Sequence, residues 1–380
     1  MNDEDLKNFL EFYNSAENDH IRLLDNKITQ IFSSNAFNNL SYNKNITSAE
    51  DVTKYIDEMH EDKFEIKNYN FSQEEFNFLI NIIDEVENIQ NQLGYRNKIL
   101  PYSSLVSSLG IIRIIDKLPL NKKDLNIFEI GPGSGYTGAM LIKKNYNYFS
   151  VENTQGFYVW QSLLYKKLSK NFQENALYKK EINIKNKVTH FPWWEFSEFF
   201  TKNKIFNSKV DLIICDHTLA EVRRECLRYI AFLSKDLLNI NNYAPIFLVR
   251  TFGAFINSNY WEILKIFNKA GFINIQFSNF LIFVPNNSNL AKDLGLINFF
   301  PKNSNPSSLK SNFYQLLNRL YQFQVLKLKN KSLYALKNFD NKKSEDHYFT
   351  YLDIYKYIKN KNMLCKKYNF LGYIYKDLGI

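Results

Sequence analysis

The sequence predicts an α/β fold, a doubly wound sheet of seven mostly parallel strands with a helical N-terminal addition and a mixed C-terminal addition. Three observations predict it. Short apolar runs alternate with amphipathic stretches between residues 127 and 284, which is the pattern of a parallel sheet. A glycine loop directly follows the first of these runs, and the last two lie close enough to pair as an antiparallel hairpin.

The N-terminal part, residues 1–100, has a helical and polar pattern. Its clearest helix is predicted over Ser72–Gln92, where Ser72 and Glu75 can form a capping box and apolar residues recur at three- and four-residue steps. A further helix is predicted over Ser103–Leu118, and Pro119 ends it. We assign residues 1–100 to a helical region that precedes the sheet domain.

The sheet domain is predicted to cover residues 101–286. Its strands are predicted over Ile127–Ile130, Tyr148–Val151, Val188–Phe191, Val210–Cys215, Pro245–Val249, Phe272–Phe277 and Leu281–Val284. The helices between them are predicted over Thr137–Lys144, Thr154–Phe172, Leu219–Ser234 and Ser258–Ala270. The remaining residues, 287–380, form an Asn- and Lys-rich extension with helices predicted over Ser311–Leu328 and Tyr348–Ile358 and a strand over Tyr368–Tyr375.

The basic net charge of the chain says little about its function. The 380 residues include 48 Lys and Arg against 39 Asp and Glu, a formal net charge of +9, and such an excess can mark a nucleic-acid partner. The lysines are scattered, however, and Lys, Asn, Ile, Phe and Tyr are abundant together, as in proteins from AT-rich genomes. We interpret the charge as compositional background and expect no nucleic-acid partner.

The few cysteines and the lack of long apolar segments indicate the cellular compartment. Three cysteines make no disulfide framework and no zinc motif, so we expect free thiols, as in a reducing cytosol. The N-terminus has no signal-peptide pattern, and no run approaches the ~18 apolar residues that span a bilayer. The sequence therefore predicts a cytoplasmic protein without a membrane span, and it leaves the oligomeric state open.

The strongest local signal is the loop Glu129-Ile-Gly131-Pro-Gly133-Ser-Gly135, which joins the first strand to a helix. Glycines let the backbone turn tightly and approach a ligand, and the helix start presents free N–H groups. With Gly138, the loop also fits the Gly-x-Gly-x-x-Gly pattern of dinucleotide binding. Glu129 disfavours a nicotinamide oxidoreductase, because a carboxylate there repels a pyrophosphate but can order the loop around a cationic amino-acid ligand.

An acidic residue ends the second strand. Glu152 follows Gly131 by 21 residues, close to the spacing at which an acidic residue binds the ribose hydroxyls of a nucleotide in α/β folds. Together with its neighbour Asn153, Glu152 is therefore a candidate for contact with an adenosine ribose.

These features resemble the class I S-adenosylmethionine-dependent methyltransferases, which have Glu/Asp-x-Gly-x-Gly-x-Gly after the first strand, an acidic end to the second and an antiparallel seventh strand. The resemblance covers about Ser103 to Pro285. The chain is also similar to a narrower group, the sugar O-methyltransferases, in four segments: Glu129–Leu141, Val151–Gln161, His190–Phe196 and Asp216–Val222.

The resemblance implies a Rossmann-like fold, S-adenosyl-L-methionine as cofactor, and a hydroxyl of a sugar or glycan precursor as methyl acceptor. It implies a cofactor site in three groups: Glu129, Gly131, Gly133 and Gly135 at the methionine end, Glu152 and Asn153 at the ribose, and Phe191 and Trp193 at the adenine. Because Trp193 and Trp194 lie beside further aromatic residues, core packing remains an equal alternative for both.

Methyl transfer to a hydroxyl requires alignment of the acceptor and removal of a proton. Ligand sites in open α/β sheets lie beyond the carboxyl ends of the strands, and Asp216, His217 and Glu221 follow the fourth strand. His217 is the candidate base, with Asp216 or Glu221 orienting it, and Asp216 is also a candidate cofactor contact. Alternatively, Asp216 or Thr218 caps the next helix and His217 has no catalytic role.

Two more residues are candidates for the cleft. Arg250 ends the fifth strand and could bind a phosphate or carboxylate of the acceptor, and His190 is a weaker candidate. No Asp-Asp pair follows the fourth or fifth strand, so we predict no metal.

Two alternative functions remain open. A nucleic-acid methyltransferase is one, although Asp216-His217-Thr218-Leu219 replaces the Asn/Asp-Pro-Pro-aromatic motif of enzymes that methylate amino groups of DNA. The other is a non-catalytic, methyltransferase-like binding protein, which the intact glycine loop and Glu152 disfavour.

Overall fold

The computed structural model describes residues 3–33, 46–59, 70–121, 123, 125–176, 187–199, 209–216, 218–242, 245–250, 260–277, 280–295 and 349–364. The helices in these ranges are α1 Asp3–Leu23, α2 Asn26–Phe32, α3 Ala49–Met59, α4 Gln73–Gln92, α5 Tyr102–Lys117, α6 Tyr136–Lys143, α7 Gln155–Leu168, α8 Trp193–Ser197, α9 Thr218–Glu221, α10 Arg224–Leu237, α11 Tyr260–Lys269, α12 Asn289–Leu294 and α13 Tyr351–Asn360. The strands are β1 Asn70–Phe71, β2 Asn126–Ile130, β3 Asn147–Glu152, β4 Phe172–Glu174, β5 Val188–Pro192, β6 Leu212–Asp216, β7 Ile246–Arg250, β8 Phe272–Phe277, β9 Phe280–Pro285 and β10 Phe349–Thr350.

The main sheet confirms the predicted fold class. Its strand order is β4-β5-β3-β2-β6-β7-β9-β8, and every neighbouring pair is parallel except those of β9, which runs antiparallel to β7 and β8. Numbered along the chain, the seven predicted strands lie in the order 3-2-1-4-5-7-6. The order reverses between β2 and β6, and ligands of open α/β sheets bind in the crevice beyond the carboxyl ends at such a reversal.

The sheet has one strand more than predicted. Phe172–Glu174 forms β4, an edge strand parallel to β5, where the sequence predicted the end of a helix over Thr154–Phe172. Helix α7 instead ends at Leu168, because Ser169 adopts an extended conformation. A three-residue strand is too short to show a periodicity of its own, which explains the missed element.

The helix predicted over Leu219–Ser234 is two helices. The one-turn helix α9 ends at Glu221, and Arg223 is extended before α10 begins. Glu221 therefore lies at the end of a short turn beside the carboxyl end of β6. In the C-terminal extension, α13 corresponds to the predicted helix over Tyr348–Ile358, while the elements predicted over Ser311–Leu328 and Tyr368–Tyr375 lie outside the described residues.

The N-terminal helices pack on the helices and loops at the carboxyl edge of the sheet. In α1, the ring of Tyr13 lies 5.1 Å from that of Tyr158 and 5.2 Å from that of Trp194. In α3, the ring of Tyr55 packs edge-on against Phe157 in the first turn of α7. The buried side chains of both regions belong to one hydrophobic cluster, so the N-terminal helices share their core with the sheet domain.

Helix α4 begins with the predicted capping box. The Ser72 hydroxyl accepts a hydrogen bond from Glu75 N (3.2 Å), and Ser72 N donates to the Glu75 carboxylate (3.0 Å). Arg113 of α5 also binds this carboxylate, with 2.6 Å between Nε and Oε1. None of the helices in the described ranges is both long and apolar enough to cross a membrane.

Candidate functional site

The glycine loop turns in the left-handed region of backbone space. The φ angles of Gly131, Gly133 and Gly135 are +67°, +58° and +75°, which L-residues with a side chain adopt only at a cost. A Cβ atom at Gly131 would lie 2.2 Å from Thr218 Oγ1, whereas a Cβ atom at Gly133 would meet no atom within 4 Å. The loop is therefore closely packed at Gly131 and has open space at Gly133, where a ligand could approach the backbone.

Thr218 connects the glycine loop to the segment that follows β6. Its hydroxyl donates to the carbonyl oxygen of Gly131 at 3.1 Å and lies 3.3 Å from the carbonyl oxygen of Asp216. The sequence suggested only a capping role for this residue. The structure shows that it joins the two loops at the strand-order reversal.

Glu152 lies at the carboxyl end of β3 and is only 3% exposed. Its Oε1 accepts from Asn153 N (2.9 Å), Thr154 N (3.0 Å) and Thr154 Oγ1 (3.1 Å), while Oε2 accepts from Gly133 N (3.4 Å) and Gln161 Nε2 (3.1 Å). Burial raises the pKa of Glu152, and the hydrogen bonds from Thr154, Gln161 and Asn153 lower it. The structure thus brings together Glu152 and the glycine loop, and the contact of either with a cofactor stays a prediction.

Helix α7 supplies two contacts to the loop that the sequence did not identify. Gln161 donates from Nε2 to the carbonyl oxygen of Gly133 at 2.6 Å, and Trp160 donates from Nε1 to that of Ser134 at 3.1 Å. From α5, the hydroxyl of Ser104 lies 2.6 Å from that of Ser134. The conformation of the loop is therefore held by side chains of two neighbouring helices.

Glu129 is buried behind the loop. Tyr148 donates its hydroxyl to Glu129 Oε2 at 2.5 Å, and the hydroxyls of Tyr148 and Tyr165 lie 3.1 Å apart. Burial and the nearby charge of Glu129 raise the pKa of both tyrosines. This network supports the base of the loop, and the predicted contact of Glu129 with the methionine end of the cofactor stays a prediction.

Carboxylates gather at the carboxyl end of β6. Burial, together with the charges of Glu152 and Asp216, raises the pKa of Glu221 to about 7. Asp216 pairs with Arg250 in the register of β6 and β7, although the side chain of Arg250 lies outside the described part of the structure. His217 also lies outside it, so the predicted roles of His217 and Arg250 stay predictions.

The residues predicted near the adenine are buried in the core. Phe191 packs edge-on against Phe199 at 5.3 Å between ring centroids. Trp193 begins α8 and donates from Nε1 to Glu17 Oε1 at 2.7 Å. Burial, partly offset by the hydrogen bond from Trp193, raises the pKa of Glu17 to about 7. Core packing of Trp193 is thus observed, while contact of either ring with adenine stays a prediction.

His190 lies within β5, beneath helix α7, and is fully buried. Its Nδ1 is 2.7 Å from Ser150 Oγ, and its ring stacks on Tyr158 at 4.2 Å. Burial lowers its pKa to about 3, so the imidazole is neutral near neutral pH. His190 is a core residue here and does not line an open cleft. In the part of the chain that is described, no group of three His, Cys, Asp or Glu side chains could hold a metal ion.

Comparison with known proteins finds similar solved structures only, since no family model and no curated protein sequence matches the chain. One is a TehB-like SAM-dependent methyltransferase from Corynebacterium glutamicum, with 13% identity over 48% of this chain and 94% of that chain and a TM-score of 0.33. A second is the magnesium protoporphyrin IX methyltransferase of Synechocystis with bound SAH, with 11% identity, coverage of 55% and 95%, and a TM-score of 0.33.

A third is an O-methyltransferase from Bacillus cereus in complex with SAH, with 12% identity, coverage of 62% and 96%, and a TM-score of 0.31. The fold described above rests on the strand order and glycine loop of this chain itself.

Proposed function

We propose that this chain is an enzyme that binds S-adenosyl-L-methionine and transfers its methyl group to a hydroxyl of a small molecule, with a sugar or glycan precursor as the acceptor. One observation carries the proposal: Gly133 N donates to Glu152 Oε2 at 3.4 Å, at the carboxyl ends of adjacent parallel strands. A loop with open space at Gly133 and a buried carboxylate beside it form a site that suits an adenosyl group.

The residues present fit this cofactor in charge as well as in shape. The long bond from Gly133 N leaves Glu152 Oε2 available to accept from the ribose hydroxyls. Glu221 is close enough to Glu152 and to Asp216 for its charge to interact with theirs, and such a negative field favours a ligand that carries a sulfonium and an ammonium group. The bound cofactor would supply an electrophilic methyl group.

The chain's own contribution to the reaction would be to orient the acceptor and remove its proton. His217 is the proposed base, and Glu221 can stabilise its charged form or take the proton itself, because a carboxyl with a pKa of about 7 accepts protons near neutral pH. Arg250, placed beside Asp216 by the strand register, is proposed to bind an anionic group of the acceptor.

The sugar acceptor is the finer part of the proposal. It is supported by the resemblance of the four segments described above to sugar O-methyltransferases. A cytoplasmic location is likewise proposed, in agreement with the free, buried thiols of Cys215 and Cys226.

Two experiments test the proposal. Calorimetry with S-adenosylhomocysteine (SAH) tests binding, and the absence of binding by the wild-type chain would contradict the central claim. Transfer of a radiolabelled methyl group is then followed into separate small-molecule and nucleic-acid fractions of a cell extract. Label in a sugar-containing small molecule is the expected result, whereas label in nucleic acid alone would favour the alternative function.

A further inference from the structure

The side chain of Gln161 lies between the glycine loop and the acidic residue proposed to bind ribose. It projects from α7 and is fully buried. Its Nε2 donates to the carbonyl oxygen of Gly133 at 2.6 Å and to Glu152 Oε2 at 3.1 Å. A Cβ atom at Gly135 would lie 3.0 Å from its Cγ. One amide group therefore contacts both halves of the proposed cofactor site.

The chemistry of its neighbours determines which way the amide of Gln161 points. If the amide were reversed, its oxygen would face the carbonyl oxygen of Gly133 and the carboxylate of Glu152, and three acceptors would meet without a proton. In the observed orientation Nε2 satisfies both acceptors. Among the described residues, Oε1 of Gln161 has no hydrogen-bond partner. A buried polar atom without a partner lowers stability, so packing alone does not explain this arrangement.

Gln161 also acts on the charge of Glu152. Among the described residues, the titratable groups that interact electrostatically with this carboxylate include Glu221 from α9, Tyr13 from α1 and Tyr165 from α7. Each is an acid, so none of the three favours the ionised form of Glu152. The amide of Gln161 does favour it, as do the N–H groups of the residues that follow Glu152.

We propose that Gln161 is a positioning residue of the cofactor site, which fixes the Glu152 carboxylate for the ribose hydroxyls and ties it to the glycine loop at Gly133. The inference rests on the proposed function, since it assigns Glu152 to an adenosyl ligand. It adds a residue of α7 to the site and a dependence of binding on the protonation of Glu152.

The test is the affinity for SAH, measured by calorimetry between about pH 6 and about pH 9 for the wild-type chain and two variants. Gln161→Leu removes the donor, so the pKa of Glu152 rises and its protonated fraction grows as the pH falls. We expect a loss of affinity of about tenfold at the acid end of this range and a smaller loss at the alkaline end.

Gln161→Glu is nearly isosteric, and it should show the opposite trend. Ionisation of the introduced carboxyl places a second negative charge next to Glu152, so the loss of affinity should be largest at alkaline pH. It should be smaller at lower pH, where the two carboxyl groups share one proton. If Gln161→Leu does not fold, Gln161→Glu alone tests the inference.

A matched control is Gln90→Leu, because Gln90 is also buried and its amide bonds to the backbone of Ile99 at 2.6 and 2.8 Å. It should lower stability and leave both the affinity and its pH dependence unchanged. Wild-type affinity in the Gln161 variants, or a loss by one constant factor at every pH, would overturn the inference while the proposed function stands. A wild-type chain that does not bind SAH would instead contradict the proposed function, and the inference with it.

Discussion

Trp193 donates its indole N–H to the carboxylate of Glu17 at 2.7 Å, across 176 residues of sequence. The contact ties α1 to the residue that follows β5, at the carboxyl edge of the sheet where the proposed site lies. The half-buried carboxyl of Glu17 has a pKa raised to about 7, which makes this tie sensitive to pH. A titratable group therefore joins the N-terminal region to the carboxyl edge of the sheet.

Glu17 should make the protein less stable as the pH rises. Its pKa in the folded state is raised above that of an unfolded chain, so its favourable contribution is complete below the unfolded value and is lost as the pH rises through about 7. Glu17→Gln removes this titration and keeps an acceptor for Trp193. We expect the variant to match the wild type near pH 4 and to be more stable by roughly 1–3 kcal/mol near pH 8.

Urea denaturation at both pH values measures this difference. Glu11→Gln is the matched control, because Glu11 is an exposed carboxylate of the same helix, and it should leave the pH dependence as it is. If Glu17→Gln shows the pH dependence of the wild type, Glu17 does not titrate in this range.

Two alanine substitutions should separate the packing of the glycine loop from its contact with a ligand. Gly131→Ala places a methyl group 2.2 Å from Thr218 Oγ1 and forces a left-handed alanine, so we expect a loss of about 2–4 kcal/mol in unfolding free energy. Gly133→Ala meets no neighbour and should lose only about 1–2 kcal/mol from its backbone conformation. Its added methyl group should nevertheless abolish measurable SAH binding.

Gly94→Ala provides the control for Gly133→Ala. Gly94 has a φ of +68° and also has open space around its Cβ position, but it lies just after α4. Gly94→Ala should lower the unfolding free energy by the same amount as Gly133→Ala and leave SAH affinity unchanged. If the wild-type chain, Gly133→Ala and Gly94→Ala bind SAH with equal affinity, the ligand does not approach the backbone at Gly133.

Replacement of Glu152 should weaken cofactor binding much more than it weakens the fold. Glu152→Ala removes a carboxylate proposed to accept from the ribose, and hydrogen bonds to charged groups contribute about 1.5–3 kcal/mol. We expect SAH affinity to fall by roughly 10- to 150-fold at neutral pH. Glu50→Ala, a change at an exposed carboxylate of α3, is the control in calorimetry, and an equal affinity in both variants would remove Glu152 from the site.

The parts of the fold that were predicted correctly depend on local sequence. Gly131 and Glu152 could be expected near each other because they lie at the carboxyl ends of two parallel strands, and these ends meet at one edge of a sheet. The contacts of Glu17 and Thr218 could not be predicted, since they join segments 176 and 87 residues apart and no periodicity encodes such pairs. Gln161 could have been noticed in the sequence, because it is the last residue of Val151–Gln161, one of the four segments that resemble sugar O-methyltransferases. Its position on α7 does not, however, indicate which groups it contacts.

His217 and Glu221 are expected to affect turnover, and His217 to have little effect on cofactor binding. His217→Ala should leave SAH affinity near the wild-type value and lower the methyl-transfer rate by roughly 100-fold or more, as the loss of a general base does. An unchanged rate would mean that another group takes the proton. Glu221→Gln tests the neighbouring carboxyl, whose pKa is raised to about 7 by burial and by the charges of Glu152 and Asp216.

If the ionised form of Glu221 stabilises the charged base or accepts the proton, the rate of the wild-type chain should increase as the pH rises through about 7. Glu221→Gln should reduce this increase and lower the rate most at alkaline pH, where the wild-type carboxylate is fully ionised. Rate profiles at saturating cofactor distinguish this effect from altered binding. A profile that keeps its rise near pH 7 in Glu221→Gln would assign the titration to another group, and a rise that then vanishes in His217→Ala would identify that group as His217.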